Sequence, residues 1–188
     1  MCVNAAIDAA KGTRHFLAST LYGCAISKGF KYYGSVLWDK RHIKQSNAFG
    51  SWLSASAPCI SQPVELIMIF YKSGWKKHSG SRINDITKDE FVSWVRGIWT
   101  VNGESAKRIG HPAPFPTEIP KRCIKLLSFK GDTVLDPFAG SGSTIEAAIL
   151  NGRKAIGIEL SENYTSMAIQ RAQKAADSLQ TYRNVSPS

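Results

Sequence analysis

Asp136-Pro137-Phe138-Ala139-Gly140-Ser141-Gly142-Ser143-Thr144 is the stretch on which the fold turns. A short apolar run from Asp132 to Asp136 leads into it, a helical pattern from Ser143 to Asn151 leads out, and Gly152 stops that pattern. Lys154 to Leu160 then reads as a second buried strand. Ser161 opens a last helix reaching about Tyr182, with Met167, Ile169, Ala172 and Ala176 available for packing. This order is a β-α-β unit followed by a helix, which predicts parallel strands and a right-handed crossover. Small residues at a strand-to-helix turn let the backbone approach a ligand closely. Glu159, about 20 residues beyond the first glycine, ends the second strand where a carboxylate can accept both hydroxyls of a ribose. The third glycine of G-x-G-x-x-G is replaced by Ile145 and G-x-x-x-x-G-K-[ST] is absent, which disfavours a dinucleotide pyrophosphate and a P-loop. Asp136 alone could merely hold the turn, and Glu159 alone could be a solvated acid; both at this spacing favour a ligand site.

Upstream, Val3 and Asn4 read as the tail of a strand. Ile7, Phe16, Leu17, Leu21 and Cys24 recur at roughly helical spacing until Gly29 supplies a stop. Lys31 to Asp39 and Val64 to Tyr71 are β-rich runs that predict two strands of a covered sheet, with the polar, Ser-rich Lys40 to Pro63 as a surface loop between them. Lys72 to Arg108 is irregular. Thr87 and Glu90 form a capping box there, and Phe91, Trp94, Val95 and Ile98 follow helical spacing, interrupted at Gly97. Trp75, Trp94 and Trp99 are interleaved with an excess of basic residues. This suits a DNA-facing element as well as it suits a solvated basic surface with a minor tryptophan core. Thr117 can cap a further helix with Glu118 and Pro120 in its first turn.

With 188 residues, the chain predicts one compact domain. Lysine and arginine total 24 against 14 acids, a formal charge of +10 that favours a polyanionic partner, nucleic acid first. No apolar stretch approaches a bilayer span and no secretory signal is visible at Met1, so a soluble, cytoplasmic protein is expected. Cys2, Cys24, Cys59 and Cys123 form no C-x-x-C and the histidines never fall at i, i+4, which argues against a metal site or a disulfide framework.

Asp-Pro-Phe-Ala-Gly-Ser-Gly followed by Ser143-Thr144 resembles the S-adenosylmethionine motif of DNA amino-methyltransferases. His111-Pro112-Ala113-Pro114-Phe115-Pro116 resembles the motif that precedes it in the permuted, β-class members. The resemblance implies a Rossmann-like α/β methyltransferase fold, a mostly parallel sheet with helices on both faces. It divides residues 1–188, as one domain, into catalytic-side strands and helix (1–71), a target-recognition-like insert (72–108) and a cofactor-binding part (109–188). Asp136 and Gly140, Ser141 and Gly142 would line the methionine side of S-adenosylmethionine, with Phe138 and Ala139 beside the cofactor and Glu159 on the ribose hydroxyls. Phe115, Pro116 and Thr117 would close the methionine end at a helix N-terminus, which suits a carboxylate. Ser143 stands where the family more often has Thr. DNA would be met by Lys76, Lys77 and Arg82 of the insert and by Lys40, Arg41 and Lys44 of the loop.

The family's chemistry uses an Asp, Asn or Ser followed by Pro-Pro and an aromatic residue, and these 188 residues hold no Pro-Pro. The sequence therefore resembles a member lacking its N-terminal catalytic segment and, with it, a central strand. Three readings follow. The chain is a DNA methyltransferase whose catalytic segment is lost or supplied by another polypeptide, the gap left by its strand being closed by rearrangement, self-association or a complementing segment; or a catalytically incomplete DNA- or cofactor-binding relative that needs a complementing chain; or an unrelated small-molecule methyltransferase. The basic insert and the permuted order argue against the last. Adenine N6 and cytosine N4 are not distinguished without the tetrapeptide.

Overall fold

A computed structural model describes residues 1–11, 13–40, 50–58, 60, 64–103 and 116–185. These fall into two compact units, one of residues 1–78 with 96–103 and one of residues 79–95 with 104–188. The stretch expected as a single insert, 72–108, is thereby shared: its middle joins the second unit and its end supplies a strand to the first.

The first unit is built on a four-stranded sheet ordered β1-β5-β4-β6, from β1 (Cys2–Ala6), β4 (Lys31–Asp39), β5 (Val64–Tyr71) and β6 (Ile98–Thr100). β5 runs antiparallel to both neighbours while β6 runs parallel to β4, so three of the four strands share a direction. Helix α1 (Leu17–Ser27) packs Ala18 and Ala25 on Met68 and Phe70, with Val3, Leu21 and Phe30 around them. The apolar spacing from Ile7 predicted this helix too early. Residues Asp8–Lys11 and Thr13–Phe16 are instead the antiparallel pair β2 and β3, with Asp8 opposite Phe16. A helical count carried through Gly12 overlooked glycine's low helix propensity and the short β-compatible runs on either side of it.

The second unit contains α2 (Lys88–Trp94), α3 (Glu118–Leu127), β7 (Thr133–Asp136), α4 (Ser143–Leu150), β8 (Lys154–Gly157) and α5 (Glu162–Val185). β7 and β8 are parallel, with Leu135 opposite Ile156, as a β-α-β unit requires. One face of this pair is covered: Val134 and Ala155 pack on Ile124, Ala147 and Ala148. Leu135 and Ile156, which alternate with them, are exposed. β8 ends at Gly157, short of its apolar run: the Ile158 N–H still bonds the Asp136 carbonyl at 2.9 Å, but the Ile158 carbonyl accepts from Ala139 and Glu159 turns to the glycine loop. The capping box is present in full: the Thr87 hydroxyl accepts from the Glu90 N–H, and the Glu90 carboxylate from the Thr87 N–H. Ile98, counted with this helix, belongs to β6, since α2 is capped at Val95 before Gly97. Among the described residues no helix is long and apolar enough to cross a membrane.

Candidate functional site

The turn from Asp136 to Ser143 lies at the carboxyl ends of β7 and β8, where open α/β sheets bind ligands. Asp136 closes β7 and its Oδ1 accepts the Phe138 N–H at 3.0 Å, which fixes the turn and leaves the Phe138 ring 88% exposed. Gly140 and Gly142 have φ of +52° and +89°, the left-handed region that disfavours side chains. Gly142 also has no room for one. A Cβ there would stand 2.8 Å from Cα of Ala168, so the glycine sets how closely α5 approaches the turn.

Glu159 does more than end a strand. Its Oε2 accepts the Gly140 N–H at 2.8 Å and its Oε1 accepts those of Leu160 and Ser161 at 3.0 and 2.9 Å. One carboxylate thus ties the glycine turn to the turn after β8, and the Ala139 N–H to Ile158 carbonyl bond, 3.0 Å, reinforces the join. Leu160 is almost wholly exposed beside it, so Phe138 and Leu160 present apolar surface on turns that share an anchor. Such surface next to a carboxylate suits a flat ring joined to a sugar.

Thr117 precedes α3 without capping it through its side chain. Its hydroxyl instead donates to Oε2 of Glu146, 3.0 Å away on the first turn of α4. Arg171 of α5 reaches the same oxygen at 2.9 Å and donates to the hydroxyl of Ser143 at 3.0 Å. Neither Glu146 nor Arg171 was singled out from sequence. The spacing of Ala168 and Arg171, one helical turn apart on α5, was the available signal. Pro116 is buried before α3, and Phe115 lies outside the described residues.

The basic side chains expected on DNA are dispersed. Lys40 follows the carboxyl end of β4, where it pairs with Glu65 and lies 4.8 Å from the Trp38 ring. Lys76 and Lys77 follow the end of β5, which pairs with the start of β4 through Lys31 and Tyr71. They are exposed at the opposite end of that sheet, roughly 25 Å away for an eight-residue strand. Arg82 pairs with Asp132 and lies 4.4 Å from the Phe129 ring. Arg41 and Lys44 lie outside the described residues. The segment 79–95 is fastened within the second unit. The Arg153 guanidinium, wholly buried, donates to Asp85 at 2.6 Å and to the Ser128 carbonyl at 2.6 Å, and Lys125 reaches Glu90 at 2.5 Å. Burial pushes the Asp85 carboxyl up, but the hydrogen bond and charge of Arg153 outweigh it and hold the group below the usual carboxylate range. Glu90 is likewise raised by burial and lowered further by Lys125 and the Thr87 N–H, with a net downward shift.

A three-stranded common direction, a parallel β-α-β unit and a glycine turn clamped by a strand-end acid define a Rossmann-like methyltransferase fold. The family model described as DNA methylase matches residues 8–170, and the chain belongs to that family. It is 37% identical over 167 residues to the Type II methyltransferase M.BglI of Bacillus subtilis, across 87% of this chain and 45% of that protein. With M.MjaVI of Methanocaldococcus jannaschii it shares 40% over 109 residues, 58% of this chain and 56% of that one. The chain spans about half the length of these curated relatives. Among solved structures, TTHA0409 of Thermus thermophilus complexed with S-adenosyl-L-methionine superposes with a TM-score of 0.73 at 26% identity, covering 94% of this chain and 69% of that one.

Proposed function

We propose that this chain is a site-specific DNA amino-methyltransferase, or the cofactor-binding and target-facing part of one, that uses S-adenosylmethionine to methylate the exocyclic amine of adenine or cytosine. The observation that carries the reading is the turn from Asp136 to Ser143, whose left-handed glycines and bond to the Glu159 carboxylate fit a nucleoside held at close backbone range. S-adenosylmethionine supplies an electrophilic methyl on a sulfonium. Phe138 and Leu160 would flank the adenine, Glu159 would face the ribose, and Asp136, Ala139, the Gly140-Ser141-Gly142 run and the Phe115-Pro116-Thr117 end of α3 would hold the methionine part. Lys40 stands at the carboxyl end of β4, the end on which such folds act, and is the better candidate for DNA contact than Lys76 or Lys77; Arg41 and Lys44 follow it in sequence and are proposed with it. Arg82 holds segment 79–95 through Asp132.

An exocyclic amine is a weak nucleophile, since its lone pair is delocalised into the ring. It has to be flipped out of the duplex and aligned by hydrogen-bond acceptors before transfer. These residues hold no Pro-Pro-aromatic tetrapeptide for that role. We infer that a complementing segment, in cis or in trans, supplies it together with a strand beside β7. Two observations support this placement: Leu135 and Ile156 are exposed, and β7 pairs with β8 alone among the described residues.

Calorimetric titration with S-adenosylmethionine tests the cofactor site. The chain is expected to bind, and Glu159→Ala to weaken binding about 10- to 100-fold through lost charge-assisted hydrogen bonds. A folded Glu159→Ala chain with unchanged affinity would remove Glu159 from the site.

A further inference from the structure

The geometry points to Arg171 and Glu146 as a charge-balanced brace that positions the methionine end of the cofactor site. The inference rests on the proposed site and adds two residues to it.

Five polar groups from three segments converge on the Arg171 guanidinium. Beyond Glu146 and the Ser143 hydroxyl, it lies 3.3 Å from the Ser141 hydroxyl, 3.4 Å from the Ser141 carbonyl and 3.5 Å from the Thr117 hydroxyl. Ser141 and Ser143 are buried while Arg171 and Glu146 keep about a quarter of their side-chain surface, so the contacts sit beneath the glycine turn and are partly shielded from solvent. Ala168, three residues earlier on the same face of α5, is the residue that Gly142 approaches. The turn therefore rests on α5 at two points, one steric and one ionic. Thr117 and Glu146 extend the second point to the start of α3.

The arrangement has an electrostatic sign. Glu146 is a negative charge near the place proposed for an anionic carboxylate, and Arg171 neutralises it. Without Arg171 the uncompensated Glu146 would repel the carboxylate of the zwitterionic amino-acid end, the group proposed to lie at the start of α3 beside Thr117, and in partly dry surroundings this is felt more strongly than in water. Without Glu146, Arg171 is left as an uncompensated cation that attracts it. A purely structural brace has no such asymmetry.

The test compares two thioethers on the full chain, so that the sulfonium charge does not enter: S-adenosylhomocysteine, and 5′-methylthioadenosine, which keeps the adenosine and sulfur but lacks the amino-acid end. Arg171→Ala is expected to weaken S-adenosylhomocysteine by about tenfold or more and methylthioadenosine by less than about threefold. Glu146→Gln is expected to shift the preference the opposite way, and Arg171→Lys, which keeps the charge, to retain the wild-type preference. If Arg171→Ala does not fold, the Glu146→Gln and Arg171→Lys chains carry the test alone. Equal losses for both ligands, or a Glu146→Gln shift in the same direction as Arg171→Ala, would overturn the assignment while leaving the site in place. A wild-type chain that binds neither ligand would overturn the site and the brace with it.

Discussion

At the scale of single residues, Gly142 carries the most constraint. Its φ of +89° and the 2.8 Å approach to Ala168 oppose a side chain independently. Gly142→Ala is expected to cost about 1–3 kcal/mol, the range of overpacking in a tight core. That lowers the melting temperature by about 2–4 °C per kcal/mol in a chain of this size. Gly29 is the natural control: it has a φ of +78° but open space around it, so alanine there meets only the backbone preference. Thermal melts of the two variants check the difference, and equal shifts would mean that the contact with α5 yields easily. Gly142 was legible in the sequence as part of a ligand turn, because G-x-G after a strand is a local pattern. Its contact with α5 was not, since nothing in a nine-residue motif says which distant helix lies against it. Glu159 was legible in the same way, by spacing, while its grip on three backbone N–H groups depends on where two turns meet.

At the scale of elements, segment 79–95 shows what charge does to an attachment. Asp85 is held by Arg153 and Glu90 by Lys125, and both carboxyls titrate below their ordinary range. A depressed folded-state pKa contributes stability that is present above the unfolded value, about 4, and is lost as pH falls through the folded value. The melting temperature is therefore expected to fall on acidification below about pH 5. Asp85→Asn should start lower at neutral pH and show a shallower acid limb. Calorimetric scans at stepped pH check this, and parallel limbs for variant and wild type would contradict it. The sequence announced α2 clearly, through a local Thr87-Glu90 box, but offered the basic residues around it as a DNA surface. Arg82 also pairs with Asp132, fifty residues away in sequence, a partner that composition does not reveal. Charge counts report composition; pairing depends on contacts that only the folded chain brings about. The same distinction explains residues 8–16, where apolar spacing fitted a helix and cross-strand pairing won.

At the scale of the whole molecule, β1 is bonded to β5 alone and β7 to β8 alone among the described residues, and β7 also carries the exposed Leu135, opposite the exposed Ile156 of β8. Strand edges of this kind invite pairing, and apolar faces of this kind invite cover. With the amine-activating tetrapeptide absent from these residues, the isolated chain is expected to transfer no methyl groups to DNA. Activity should return when a segment carrying the tetrapeptide and its strand is added in cis or in trans. Tritium incorporation from labelled S-adenosylmethionine measures this directly, and label in DNA from the chain alone would mean that another polar group here activates the amine. The parallel β-α-β unit behind this expectation was readable from period and punctuation. The division into two units was not, because it depends on 79–95 leaving one sheet and 96–103 returning to it.

The brace beneath the glycine turn also has a chronology. A ribosome makes the Asp136 to Ser143 turn before it makes the helix on which the turn rests. At about 5–20 residues per second, roughly 1.5 to 6 s separate the appearance of Gly142 from that of Arg171. During that interval the nascent turn has its glycines but neither Ala168 to lean on nor a cation opposite Glu146. The pocket is thus completed only once α5 has been made, and folding of the glycine turn is tied to the arrival of that helix.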